Sequence, residues 1–275
     1  MSKNKKKEVV KELNEANLPH NRKEQFFSVI KINWRKLLLL GFFVCLFALP
    51  LIGIHFYKDL ALYQASLITN QDEMMKTVYS INTFTLIFDF LGIVAIGLGI
   101  SGALRVIRLL CWEIGVFPLK DYGIGIKLSW LQTIVIYLIV AIIHFLTRFF
   151  VISSSVTEII KFLIIGLELF IFVPVLIYYI YIINIYKCSI FEAIKSAFIL
   201  YVKSLPLMLV LMILLGLPFF VTFINILIVK YLVLVIYLIF LLPIILLFGF
   251  LITSKYFDKF VNAESYPEYY KKGIH

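Results

Sequence analysis

Six long apolar segments, free or nearly free of charge, constrain this chain more than any other feature of its sequence. They cover 37–57, the stretch between Lys76 and Arg105, 128–152, 162–186, 204–229 and 231–254. A helix needs roughly 20 apolar residues to cross the hydrocarbon of a bilayer. A soluble domain of 275 residues could not bury an apolar content of 62%. The sequence therefore predicts an all-α, polytopic membrane helix bundle with about six transmembrane helices.

The distribution of basic residues predicts how these helices are oriented. Of the 26 Lys and Arg residues, 21 fall in 1–36, 104–127, 187–203 and 255–275, which alternate spans place on one side of the membrane. Cytoplasmic loops are enriched in Lys and Arg, so a multi-pass plasma-membrane protein with both termini in the cytoplasm is expected. The same rule accounts for the net charge of +10, and nucleic acid is not expected as a partner.

Composition divides the chain into three regions. Residues 1–25 are predicted to form a basic cytoplasmic arm that is disordered and binds anionic lipid through residues 3–11. Residues 26–254 are predicted to form the transmembrane domain, in contact with the lipid bilayer, and residues 255–275 a cytoplasmic tail.

The segments that flank and connect the spans carry local signals. The spacing of apolar and basic residues predicts interfacial helices near 26–36 and 188–204. The second should begin with a capping box, because Glu192 follows Ser189 at the required distance. Only Lys230 separates the last two apolar segments, so these are expected to form a tight antiparallel hairpin.

Four ionisable residues lie inside the predicted spans, where an unpaired charge costs at least a few kcal/mol. They are Asp89, His144, Arg148 and Glu168. All four fall in the outer half of the bilayer, so we expect them to share one polar cavity, in which Arg148 neutralises a carboxylate and His144 bridges. Such a cluster could relay protons or hold a polar ligand, or it could be a static network that fixes helix packing. His55 is expected to lie at the membrane interface.

Three parts of the sequence also resemble a known family. They are GLGISGALRVIRLLCWE with FPLKDYGIGIKLSW at 97–113 and 117–130, NWRK with LP at 33–36 and 49–50, and EAIKSA with LP at 192–197 and 205–206. These stretches resemble the YesL-like family of bacterial integral membrane proteins. The chain departs from that family in its Lys-rich start, in its extended outer loop 58–80, and at Leu128-Ser129, where the family tends to be more polar. The resemblance implies six transmembrane helices, an unestablished activity and frequent encoding near carbohydrate uptake systems.

Two functions follow as hypotheses. The first is a non-enzymatic accessory protein that docks onto another membrane complex, such as a sugar importer, through charged cytoplasmic segments of mixed sign. The predicted partner surface consists of Arg105, Arg108, Glu113, Asp121, Lys127, Glu192 and Lys195. The alternative is a small transporter or channel that uses the buried polar cluster. No catalytic or metal-spaced motif is present in the sequence, so neither an enzyme nor a cofactor is expected.

Overall fold

The described part of the chain is a bundle of helices, and six of them, counting one helix together with the 3-10 turn that follows it, are long enough to span a membrane. The structure, a computed structural model, describes residues 18–152 and 157–275. Its helices are α1 (Arg22–Ala65), α2 (Gln71–Cys111), α3 (Pro118–Ile152), α4 (Glu158–Ile185), α5 (Ile190–Lys203), α6 (Leu205–Leu215, followed by the 3-10 turn Leu217–Phe223) and α7 (Leu227–Ser265). Six of them, all except α5, have the length and apolar character of membrane spans. The predicted fold class is confirmed, and the chain is a multi-pass membrane protein.

Helix α1 begins earlier than expected, and its first segment, which ends at a kink, corresponds to the first predicted interfacial helix. It starts at Arg22, inside the segment predicted to be an arm, and the side chain of Asn21 caps it by accepting a backbone N–H of the first turn at 2.9 Å. Asn33, with φ −117° and ψ 19°, is not helical, and the kink at this residue separates the segment that begins at Arg22 from the rest of α1. The remainder of the predicted arm, with the predicted lipid-binding segment 3–11, lies outside the described residues.

Helix α5 is the predicted elbow near 188–204. The hydroxyl of Ser189 accepts the backbone N–H of Glu192 at 3.3 Å, and the Glu192 carboxylate accepts that of Ser189 at 2.9 Å. Both halves of the capping box are therefore present, as the spacing predicts. The buried face of α5 consists of Ala193, Ala197, Leu200 and Tyr201.

The connection between the last two spans differs from the prediction. Helix α6 ends at Leu215, the chain continues through the 3-10 segment Leu217–Phe223, and α7 starts at Leu227. Lys230 lies in the first turn of α7, so the prediction that it separates the two spans is wrong. The helix accommodates its charge because the ammonium group pairs with Asp59 of α1.

Pro174 removes a backbone hydrogen bond from helix α4, and a side chain of α5 replaces the missing donor. Proline lacks the N–H that would bond the carbonyl four residues earlier, here that of Phe170. The helix widens into a π-helical turn at Glu168–Phe172, and the hydroxyl of Tyr201 donates to the freed Phe170 carbonyl at 2.5 Å. A backbone group left unpaired in hydrocarbon is therefore satisfied by a side chain of the elbow helix.

Pro243 has a related effect where α7 crosses α1. It follows the π-helical turn Tyr237–Leu241 and cannot bond the carbonyl of Ile239. Gly41 of α1 lies against this carbonyl so closely that a Cβ at position 41 would be 2.1 Å from the oxygen. Only glycine permits the two helices to approach at this point.

The two described ends of the chain meet in a buried polar junction. The side-chain amide of Gln25 donates to the carbonyls of Cys111 and Gly273 at 2.7 and 2.9 Å, and Arg22 pairs with Asp258 at 2.6 Å. These contacts hold the last residues against α1 and the end of α2. We call this the basic end of the bundle, and the other the opposite end. Helix α7 reaches Ser265, beyond the predicted boundary at residue 254.

The bond from Tyr201 to the proline-freed carbonyl gives a first prediction. The substitution Tyr201→Phe leaves the Phe170 carbonyl without its donor, and such interhelical bonds contribute about 0.5–2 kcal/mol in membrane proteins. We expect the free energy of unfolding in detergent micelles to fall by this amount. Tyr270→Phe is the control, because the Tyr270 ring is exposed. Equal stabilities of the two variants would show that the bond contributes nothing.

Candidate functional site

His144 and Glu168, two of the predicted cluster residues, are in direct contact. The Nδ1 atom of His144 on α3 lies 2.9 Å from Oε1 of Glu168. Glu168 begins the π-helical turn of α4, so this polar pair joins the two helices at the point where α4 is widened by Pro174. Both side chains are partly buried.

Asp89 pairs with a residue outside the predicted cluster. Its Oδ1 atom lies 3.3 Å from Nε2 of His55 on α1, and only 6% of the Asp89 side chain is exposed. The geometry of this contact is that of an ion pair rather than a hydrogen bond, because Oδ1 has no hydrogen-bond partner in the described chain. His55, which was expected at the membrane interface, therefore lies where its protonated imidazole would neutralise the Asp89 carboxylate.

Arg148 lies one helical turn beyond His144 with an exposed side chain. Within residues 18–152 and 157–275, it forms no ion pair with Asp89 or Glu168 at 4.0 Å or less. A long basic side chain near the end of a span can extend to the headgroup region. Arg148 lies near the end of α3, so its guanidinium can reach the headgroups in this way.

A third polar contact, which the sequence did not predict, joins α1 to the start of α7. Asp59 accepts the Lys230 ammonium group and also the hydroxyl of Tyr231 at 2.9 Å. These residues and His55 border a cavity of about 710 Å³ at the opposite end, which we call the opposite cavity. Its deeper wall is apolar and reaches Ile100, in the second half of α2.

A second cavity, of about 850 Å³, lies at the basic end. Its polar lining includes Arg105, Arg108, Gln132, Asn184 and Lys187, and we call it the basic cavity. Four helix segments meet here, namely the end of α2, the start of α3, the end of α4 and the start of α5.

The two arginines reach this cavity because α2 is longer than predicted. Arg105 and Arg108 were expected in a cytoplasmic loop, but α2 continues to Cys111. Residues three apart on a helix lie on the same face. Gly125 of α3 packs directly on Arg105, where an added Cβ would be 2.8 Å from the arginine Cβ. Glycine at this position therefore lets α3 close the side of the cavity.

Arg108 is held in place by neutral groups. Its Nη1 atom donates to the backbone carbonyl of Asn184, and its guanidinium lies 5.1 Å from the ring centroid of Trp112. The Nε atoms of both Arg105 and Arg108 are buried and have no hydrogen-bond partner among the described residues. The cavity is consequently an electropositive, hydrogen-bond-donating space.

Sequence reasoning missed Gln132, Asn184 and Lys187. Gln132 and Asn184 lie within apolar segments, and a search for charged residues inside the spans does not detect an uncharged amide. The amide of Gln132 donates to the Cys188 carbonyl at 2.8 Å. An amide inside a span needs a hydrogen-bond partner for the same reason that a charge does, and this signal could have identified them.

Most other residues of the predicted partner surface make contacts within the molecule. Glu113 lies 2.9 Å from His275, and Asp121 accepts the backbone N–H of Phe117 at 2.8 Å. Glu192 caps α5, and the backbone hydrogen bond from Ser189 lowers the pKa of its carboxyl. The two exposed residues of the set that make no such contact in the described chain are Lys127 and Lys195.

The fold therefore defines a multi-pass membrane protein that has the basic cavity at one end of its bundle and, at the other, the opposite cavity with a polar mouth and an apolar wall. No protein-family model, curated protein or solved structure matches the chain. Within residues 18–152 and 157–275, no group of three His, Cys, Asp or Glu side chains could hold a metal ion.

Burial raises the pKa of the Cys188 thiol at the wall of the basic cavity, and nearby Glu192 adds to this effect.

A double-mutant cycle tests the pairing inside the bundle. His144→Ala and Glu168→Gln should be strongly non-additive in the free energy of unfolding, with a coupling of about 0.5–3 kcal/mol for residues in contact. The matched cycle combines Glu168→Gln with Arg148→Ala, one turn from His144 on the same helix. We expect its coupling energy to be smaller because Arg148 forms no ion pair with Glu168 in the described chain. A larger coupling to Arg148 would contradict the pairing.

Proposed function

We propose that this multi-pass membrane protein is a small transporter that moves a polar solute between the opposite cavity and the basic cavity. This is the alternative function that the sequence predicts, with the cavities in place of a single buried cluster as the polar route. The observation that carries it is the presence of two cavities at opposite ends of one bundle, the basic cavity and the opposite cavity with its polar mouth, separated by a thin packed layer.

The thickness of that layer follows from α2, which borders both cavities. The opposite cavity reaches Ile100, and the basic cavity begins at Arg105. Five residues of α-helix correspond to about 7.5 Å. Between them, Ser101 is 0% and Leu104 is 1% exposed. A solute held in either cavity would thus be separated from the other by little more than one turn of helix.

The bundle also has features that would permit movement of its helices. The π-helical turns before Pro174 and Pro243 interrupt α4 and α7 inside the membrane, and interrupted helices are typical of transporter folds. At the mouth of the opposite cavity, α1 and α7 are joined by the ion pair between Asp59 and Lys230. The pair is only partly exposed, and Asp59 also accepts the Tyr231 hydroxyl, so opening at this end would require these contacts to separate.

Cysteine accessibility tests transport even while the identity of the solute is open. Ser101→Cys places a thiol in the packed layer, where the Ser101 hydroxyl lies 2.6 Å from that of Ser129. The background lacks Cys45, Cys111 and Cys188. In an alternating transporter, an impermeant maleimide should modify this thiol in right-side-out and also in inside-out membrane vesicles.

The matched control is Thr253→Cys, which is equally buried on α7 but lines neither cavity. It should remain unmodified in both kinds of vesicle. Protection of the Ser101→Cys thiol from both sides would show that the layer never opens and would overturn the transport proposal.

The accessory function is a second candidate, favoured by the exposure of Lys127 and Lys195 and by the resemblance to the YesL-like family. If these residues bind a membrane complex such as a sugar importer, a stoichiometric partner should co-purify in mild detergent. The double substitution Lys127→Glu with Lys195→Glu should release it, whereas Lys31→Glu on α1 should not. Purification of the wild-type chain as a single species, measured by mass spectrometry, would contradict docking.

A further inference from the structure

The two arginines of the basic cavity have no ion-pair partner in the described chain. Arg105 and Arg108 line it from one helix face, and within residues 18–152 and 157–275 neither forms an ion pair at 4.0 Å or less. The Nε donors of both guanidinium groups are also buried and have no acceptor among the described residues. Buried polar groups are almost always hydrogen-bonded, and a buried charge is normally paired. The arrangement therefore calls for an anion.

The contacts that Arg108 does make orient it without neutralising it. The carbonyl of Asn184 and the ring of Trp112 fix the guanidinium plane. A carbonyl oxygen and an aromatic face each carry only a partial negative charge. The guanidinium is thus presented to the cavity in a fixed position, which reduces the entropy that binding would cost.

The one carboxylate that lines the cavity is engaged elsewhere. Glu192 accepts the backbone N–H of Ser189 at 2.9 Å as part of the α5 capping box, and its side chain is exposed at the rim. Lys187, also at the rim, adds a third cationic group. Three cationic groups therefore face one carboxylate that is already used as a helix cap.

We propose that the basic cavity binds the phosphate group of a small ligand, with Arg105 and Arg108 as its principal partners and Lys187 at its entrance. Arginine presents planar N–H groups that match phosphate oxygens in pairs. Two guanidinium groups balance the dianion that a phosphate monoester carries near neutral pH. The cavity volume of about 850 Å³ falls within the range of small-molecule sites, so it has room for an organic group beyond the phosphate.

The neutral side chains of the cavity suit such an organic group. The amides of Gln132 and Asn184 are held by the carbonyls of Cys188 and Ile180 at 2.8 and 2.9 Å. No side chain of the described residues donates to their amide oxygens, and Tyr266 from the C-terminal segment provides an aromatic wall. Hydroxyl groups on the ligand could donate to these amide oxygens.

This inference deepens the proposed function, on which it rests, by naming the chemical class of the solute, and binding can be measured without transport. The full chain is purified in uncharged detergent and titrated with inorganic phosphate while its thermal unfolding is followed. Sodium chloride at equal ionic strength serves as the reference. We expect phosphate to raise the melting temperature in a saturable manner that chloride does not reproduce.

Two substitutions and a matched control locate the site. Arg105→Gln should weaken the apparent phosphate affinity at least tenfold, and Lys187→Gln, at an exposed position, should weaken it by several-fold. Arg35→Gln removes the same charge from the exposed side of α1 and should change the affinity less than twofold. If Arg105→Gln does not fold, the phosphate affinity of the double variant Lys187→Gln with Gln132→Ala tests the site in its place. Unchanged phosphate affinity in these variants would overturn the proposal.

The source of the phosphate group is resolved by a second arm in nanodiscs. The melting temperature is compared in phosphatidylcholine alone and with added phosphatidylglycerol, for the wild type and Arg105→Gln. Stabilisation by the anionic lipid that Arg105→Gln abolishes would support the site and identify a lipid headgroup as its ligand. The absence of any response to both phosphate and anionic lipid would overturn it. If the Ser101→Cys thiol is modified from both sides but phosphate does not bind, the phosphate site is overturned and the transport proposal stands. If phosphate binds but the thiol is protected from both sides, the phosphate site is supported and the transport proposal is refuted.

Discussion

The need to satisfy every backbone polar group inside hydrocarbon is the constraint on which the rest of this structure depends. It explains why the spans are helices, and it also explains how they are joined where prolines interrupt them. Pro174 leaves the carbonyl of Phe170 without its helical partner, and Tyr201 supplies a donor from α5. The elbow helix is thus part of the membrane domain, because α4 is completed by it. Each such proline determines which neighbour must approach the opened turn.

The spans could be predicted from the sequence because hydrophobicity over 20 residues is a strong, additive signal. The elbow could be predicted because its capping box is local, with both partners three residues apart. The turn between α6 and α7 could not be placed, since Lys230 was interpreted as a loop residue. Whether a lysine ends a span depends on a partner elsewhere in the chain, and here that partner is Asp59, 171 residues away.

The same reasoning explains how much of the candidate site was predictable. The positions of Asp89, His144 and Glu168 inside spans follow from the sequence, and two of the three are in contact with each other. The choice of His55 as the partner of Asp89 depends on the rotation of α1 against α2, which composition does not encode. Arg105 and Arg108 were expected on a loop, whereas α2 continues to Cys111. This part of α2 packs closely on α3 at Gly125, a contact between distant segments that the local sequence does not indicate.

The basic cavity is connected to the junction of the two chain ends through a short series of contacts. Gln25 holds the segment around Gly273, and this segment carries Tyr269, whose ring stacks on Trp112 with centroids 5.2 Å apart. Trp112 in turn supports the Arg108 guanidinium. The wall of the cavity is therefore complete only while the C-terminal segment is docked. Release of that segment would expose the guanidinium to water, where the attraction between unit charges is several-fold weaker than in a partly buried site. The strength of anion binding at the cavity thus depends on a hydrogen-bonded junction that does not touch the anion itself.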